Sequence, residues 1–133
     1  MLKIMWNIDW SKISSCTLED RKKLIPYIIQ LLDLKNACDE QGVYGLEEFL
    51  NSSTNSFEKI ALQLIIQGYM PEMCEVVLFD MLNSSNIEND QYLKNVIFAA
   101  FVLLIQKEPI DNRELKIRLS AYLGVECVGE LLN

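Results

Sequence analysis

The sequence predicts an all-α domain, a compact bundle or array of about five to seven helices. Apolar residues recur at helical spacing through most of the chain, and no stretch alternates with the period of two that a half-buried strand requires. The apolar stretches are joined by short links, which favours antiparallel neighbours. Residues 1–16 read as an N-terminal arm and residues 17–133 as one helical domain.

The arm carries Trp6 and Trp10, with Ile4, Ile8 and Ile13 nearby. It is expected as a short helix or an extended segment, and large aromatic rings near a terminus dock somewhere. Either they close the chain's own core or they form an oligomer contact through Trp6 and Trp10. The first helix starts at Thr17, where Thr17-Leu18-Glu19-Asp20 resembles a capping box with Asp in place of Glu, its acids at the positive helix end. Leu24, Ile28, Leu31, Leu32, Leu34 and Cys38 continue the apolar pattern. Pro26 lies inside it and predicts a break within 22–27. Gly42 ends the helix.

A short acidic helix is expected over 45–50, with Leu46, Phe49 and Leu50 on one face and Glu47 and Glu48 on the other. Residues 51–55, all small and polar, form a loop. Asn55 or Ser56 caps a helix over 57–67, in which Ile60, Ala61, Leu64 and Ile65 form a stripe widened by Leu62 and Ile66. So wide a stripe predicts a mostly buried helix. Gly68 stops it, and Pro71 suits the first turn of the next. That helix is apolar over 73–82 and leaves Glu72, Glu75 and Asp80 to solvent.

After a loop at 83–86, Asn89 caps a helix running to about residue 107, with the uninterrupted apolar run 96–105 at the domain centre. Pro109 ends it. Asp111 caps a helix over 112–123 that buries Leu115, Leu119, Tyr122 and Leu123 and exposes Arg113, Lys116 and Arg118. Gly124 closes it, and 125–132 add a last turn or two.

Composition excludes several functions. As a helix the longest apolar run spans only about 15 Å, against a hydrocarbon core near 30 Å, so no membrane span is expected. The first residues lack the apolar core of a secretory signal and carry Asp9, which predicts a cytoplasmic protein. There is no histidine, and Cys16, Cys38, Cys74 and Cys127 form no C-x-x-C pair. Reduced structural thiols, no metal and no cofactor are expected, and without histidine the commonest general base near neutrality is missing. No enzymatic activity is expected.

The net charge of −7 is uneven. Residues 1–35 hold six bases and four acids, residues 36–90 one and ten, and residues 91–133 five and five. An acidic middle disfavours nucleic acid, whose phosphates demand clustered cations, and suits a basic protein partner.

Individual motifs point the same way. Glu47 and Glu48 project about 100° apart on a helix and do not share a catalytic site. They read as a solvated face or a docking patch, as do Asp39 and Glu40. Gly42 and Gly45 lack the Lys-Ser/Thr of a phosphate loop and read as helix stops. Arg21-Lys22-Lys23 is too short for a nucleic-acid tract, and the five methionines read as core fillers.

The stretch ACDEQGVYGLEEFL at 37–50, the aromatic-led SFEKIALQLIIQG at 56–68 and the following Tyr69-Met70-Pro71-Glu72 resemble the cytoplasmic segment of MotA-type flagellar stator subunits. The order, spacing and glycine positions are kept over residues 36–82. In that family the segment docks the rotor through charged side chains, which implies such a role for Glu47 and the neighbouring Glu48. The family's basic position is occupied here by Asp39, and the transmembrane helices that flank the segment have no counterpart among the apolar runs. The resemblance therefore implies the cytoplasmic module alone, without ion conduction, and a flagellar rotor or stator component as partner.

Together these readings predict a non-catalytic interaction module that docks a basic protein through Asp39, Glu40, Glu47, Glu48 and Glu58 on one acidic helical face. The alternative is a helical adaptor or homo-oligomer unrelated to motility, with an apolar contact through Trp6 and Trp10.

Overall fold

Caps and stops divide the chain, and one apolar helix gathers the pieces. The computed structural model describes residues 8–107 and 109–132. Among the described residues there is no strand. A 3-10 turn, Trp10–Ile13, leads into α1 (Leu18–Lys22), α2 (Ile25–Gln41), α3 (Tyr44–Ser52), α4 (Ser56–Ile66), α5 (Pro71–Ser84), α6 (Asn89–Lys107) and α7 (Asn112–Ser120). A second 3-10 turn, Ala121–Leu123, precedes α8 (Val125–Leu132).

The capping box at Thr17 is complete: its hydroxyl accepts from the Asp20 N–H and the Asp20 carboxylate from the Thr17 N–H, both at 3.1 Å. The chain breaks between α1 and α2, so Pro26 falls in the first turn of α2, where a missing N–H costs nothing. Gly42, at φ +65°, ends α2. At the end of α4 the Tyr69 N–H donates to Leu64 O at 3.1 Å and the Gly68 N–H to Ile65 O at 3.0 Å, a Schellman motif centred on Gly68 at φ +85°. Asp111 caps α7 by accepting from the Glu114 N–H at 2.8 Å. Asn89 heads α6 in the left-handed region at φ +58°, a conformation that asparagine tolerates better than most residues.

Helix α6 is the axis of the fold. Every residue from Tyr92 to Leu104 except Lys94 is buried. Helices α4, α5 and α7 and the first 3-10 turn pack on it, α2 packs on α3 and α7, and α8 closes the far end against α7. The Phe49 ring of α3 stacks on Phe98 of α6 at 5.9 Å. Among the described residues no helix is long and apolar enough to cross a membrane. All four cysteines are free thiols, Cys74 and Cys127 buried and Cys16 and Cys38 half-buried.

The described part of the N-terminal arm belongs to the same core. Ile8 and Ile13 are buried in it. The Asp9 N–H donates to the Tyr92 hydroxyl at 3.2 Å, and Lys12 Nζ donates to Ser85 O at 2.7 Å. Among the described residues isoleucines make this closure and Trp10 does not, being 51% exposed; Trp6 lies outside the described residues.

Several local expectations are corrected. Gly45 is no helix stop; it lies buried inside α3, which runs two residues longer at its C-terminal end than expected and starts at Tyr44. On α4 the core takes Phe57, Ala61 and Leu62 and leaves Ile60 exposed, because α3 and α6 approach from that side. Glu75 is not left to solvent but pairs with Lys107 at 3.8 Å across the α5–α6 contact. Met70 and Met73 are exposed rather than core-filling.

Candidate functional site

The acidic residues that the sequence singles out fall into two environments. Asp39 and Glu40 lie on the last turn of α2 and Glu47 and Glu48 on the first half of α3, on either side of the Gly42-Val43 turn. Helix α3 lies so close to α2 that a Cβ on Gly45 would stand 2.5 Å from the Ala37 carbonyl oxygen. This contact fixes the hairpin and with it the four carboxylates. Glu47 sits in the first turn of α3, where the helix dipole favours an anion. Glu48 is exposed and, with Asp33 and Gln30 of α2, borders a shallow groove of about 240 Å³ between the two helices.

The tip of this hairpin carries a feature that charge counting did not single out. Tyr44 is 71% exposed, and Val43 beside it is also exposed. The tip thus combines an unburied aromatic ring with flanking acids. Its one base within 25–52, Lys35, is 8% exposed and holds Asp39 Oδ2 at 2.5 Å. Asp39 is therefore partly neutralised, while Glu40 and Glu48 face solvent without a salt bridge among the described residues.

Glu58 does not belong to this surface. It was expected on the same acidic face, but it is 5% exposed, and its carboxylate accepts hydrogen bonds from the buried Tyr27 hydroxyl and, at 2.7 Å, from Ser53 Oγ. The reason is the rotation of α4 that buries Phe57 and leaves Ile60 outside. Buried polar groups require such partners, and here the partnership ties α4 to α2. Burial raises the Tyr27 phenol well above its ordinary pKa, with the neighbouring carboxylate adding to the shift.

The other predicted contact, Trp10, lines a shallow recess of about 260 Å³ with Arg118, Ala121 and Tyr122. The Tyr122 hydroxyl is buried there without a hydrogen-bond partner, and burial pushes its pKa up against the opposing pull of Arg118. Among the described residues no three His, Cys, Asp or Glu side chains come together as metal ligands would. The chain matches no protein-family model, no curated protein and no solved structure.

Proposed function

We propose that this chain is a non-catalytic protein–protein interaction module that docks a basic partner through the acidic tip of the α2–α3 hairpin. The observation that supports this reading most directly is the exposed Tyr44 ring at the tip of the hairpin that carries Glu40, Glu47 and Glu48. An aromatic anchor surrounded by like charges is suited to a partner with a cationic rim and an apolar centre. The charges speed and orient encounter, and the ring supplies the buried area. The resemblance to the cytoplasmic segment of flagellar stator subunits supports a motor component as that partner, with Glu47 and Glu48 in the docking role and Glu58 in a structural one.

The test is capture of partners from the source cell's cytoplasm by the wild type and by Glu47→Lys with Glu48→Lys. Exposed charge pairs are screened by salt, so wild-type capture should fall about tenfold or more between roughly 0.05 and 0.3 M salt. The reversed variant should capture nothing, and Tyr44→Ala should weaken capture at every salt concentration. A rotor or stator component recovered by the wild type alone supports the motor reading. A partner held equally by wild type and reversed variant sinks the docking surface.

A second reading rests on Trp10. Its exposed ring, together with the recess it forms with Tyr122, supports a homo-oligomer contact beside Arg118. Under that reading Trp10→Ala converts an oligomer into a soluble monomer. A wild type that sediments as a monomer at all concentrations ends it.

A further inference from the structure

A recess of about 240 Å³ with mixed polar and apolar walls lies where the start of α4 meets the start of α6, lined by Asn55, Ile87, Gln91, Lys94 and Asn95. We propose that it binds a small organic monocarboxylate. The proposal is independent of the acidic hairpin, none of whose residues line the recess.

Asn95 provides the first argument. It is the one amide in the buried run of α6 and is only 4% exposed. A polar side chain so placed is costly unless its groups are bonded. The α4 cap fixes which way its groups face. The Phe57 N–H can only donate, so Asn55 turns Oδ1 towards it, at 2.9 Å. That turns Asn55 Nδ2 outwards as a donor, and Asn95 Oδ1 accepts it at 3.1 Å. Asn95, which lines the recess, is then left with its Nδ2 group as a donor. The amide orientations follow from the donor and acceptor inventory of each group.

Lys94 provides the second. Its ammonium lies 4.6 Å from the centroid of the Tyr27 ring. Tyr27 in turn is held by Glu58, and Glu58 by Ser53. The buried network that removes Glu58 from the acidic face therefore fixes the ring on which the Lys94 ammonium rests. No carboxylate pairs with Lys94 among the described residues, although the chain as a whole carries a net charge of −7. A positioned cation beside amide donors is an arrangement suited to an anion's oxygens.

The anion's class follows from the walls. One ammonium with the Asn95 and Gln91 amides matches the acceptor sites of a carboxylate, whereas a phosphate dianion in a chain of this charge calls for more than one cation. Ile87 adds an apolar wall to the same recess, which suits a short alkyl chain on the carboxylate. The volume is below the roughly 300–1,000 Å³ of sites for drug-sized ligands, so the ligand is small.

The test is a nitrogen-15 NMR titration of the full chain with sodium butyrate at constant ionic strength, with acetate and inorganic phosphate as comparisons. Saturable shifts are expected in the side-chain amide signals of Asn95, Asn55 and Gln91, with half-saturation in the millimolar range. Butyrate should bind more tightly than acetate. Lys94→Gln should weaken butyrate at least tenfold without changing the thermal transition, and Lys94→Arg should retain it. Glu47→Lys with Glu48→Lys should leave the titration unchanged, which separates this site from the hairpin. Linear, unsaturated shifts, phosphate binding as tightly as butyrate, or an unaffected Lys94→Gln variant would each overturn the proposal.

Discussion

Gly45→Ala is expected to lower the thermal transition of this protein by about 10 °C. The added Cβ would stand 2.5 Å from the Ala37 carbonyl oxygen, 2.6 Å from its carbon and 2.8 Å from the Cys38 nitrogen. All three are backbone atoms of α2, so no side-chain rotation relieves the overlap and α3 must move away from α2. Overpacking of this kind costs about 1–3 kcal/mol and sometimes more. For a chain of this length that corresponds to roughly 3–4 °C per kcal/mol.

Gly129 is the control. It lies in α8 with nothing within 4 Å of where a Cβ would stand, so Gly129→Ala adds helix propensity without a clash and should raise the transition by about 2–3 °C. A Gly45→Ala variant that melts within about 2 °C of the wild type would show that the two helices do not approach as described. Because the same contact holds together the hairpin that carries Glu47 and Glu48, the variant should also weaken partner capture more than its loss of stability explains.

The contrast between Gly45 and the other helix-link glycines shows what the sequence made legible. Gly42, Gly68 and Pro71 act within a turn of their own position, and Thr17 and Asp111 each satisfy an N–H group three residues away. Such local chemistry is written in the neighbouring letters, and these boundaries fell where expected. Gly45 answers to Ala37 across a helix pair, and nothing adjacent in the sequence distinguishes a stop from a close approach.

Helix α4 shows the same limit in its rotation. Apolar residues occupy most of its circumference, so the stripe could be centred on Ile60 or on Ala61 and Leu62, and the arrival of α3 and α6 decides between them. That choice carries Glu58 inward to Tyr27 and Ser53. The candidate surface was legible in part for this reason. The excess of acid over residues 36–90 is a property of composition, but Glu58 was lost from it through rotation and Asp39 was partly neutralised by Lys35. Tyr44 joined the surface because α3 begins at Tyr44 and leaves the ring at the tip. The recess at Asn95 had one signal available, an asparagine beside the longest apolar run in the chain.

Alkaline pH is expected to destabilise the protein steeply, by about 2–3 kcal/mol between roughly pH 10.5 and 11.5. The ordinary phenol pKa is 10.0, and burial raises both Tyr27 and Tyr122 well above it, Tyr27 with a further push from Glu58. Above about pH 10 the unfolded chain has released these protons and the native chain still holds them. Stability therefore falls as pH rises, by about 1.4 kcal/mol per unit for each phenol, and is fully present at lower pH. Burial also raises Tyr92 and the thiols of Cys16, Cys38 and Cys127, which begins the decline from the ordinary thiol value of 9.0.

Urea unfolding at a series of pH values measures the slope. Tyr27→Phe and Tyr122→Phe should each flatten it by about 1.4 kcal/mol per unit. Tyr27→Phe also removes one of the two hydrogen bonds to Glu58, at a cost of about 1–3 kcal/mol near neutrality. Glu58→Gln should keep most of the slope, since burial is the larger cause of the Tyr27 shift. If the double phenylalanine variant declines as steeply as the wild type, the buried phenols are not the origin. A Glu58→Gln variant that loses the slope would instead make the carboxylate, and with it the Ser53–Glu58–Tyr27 chain beneath Lys94, the dominant influence on the phenol.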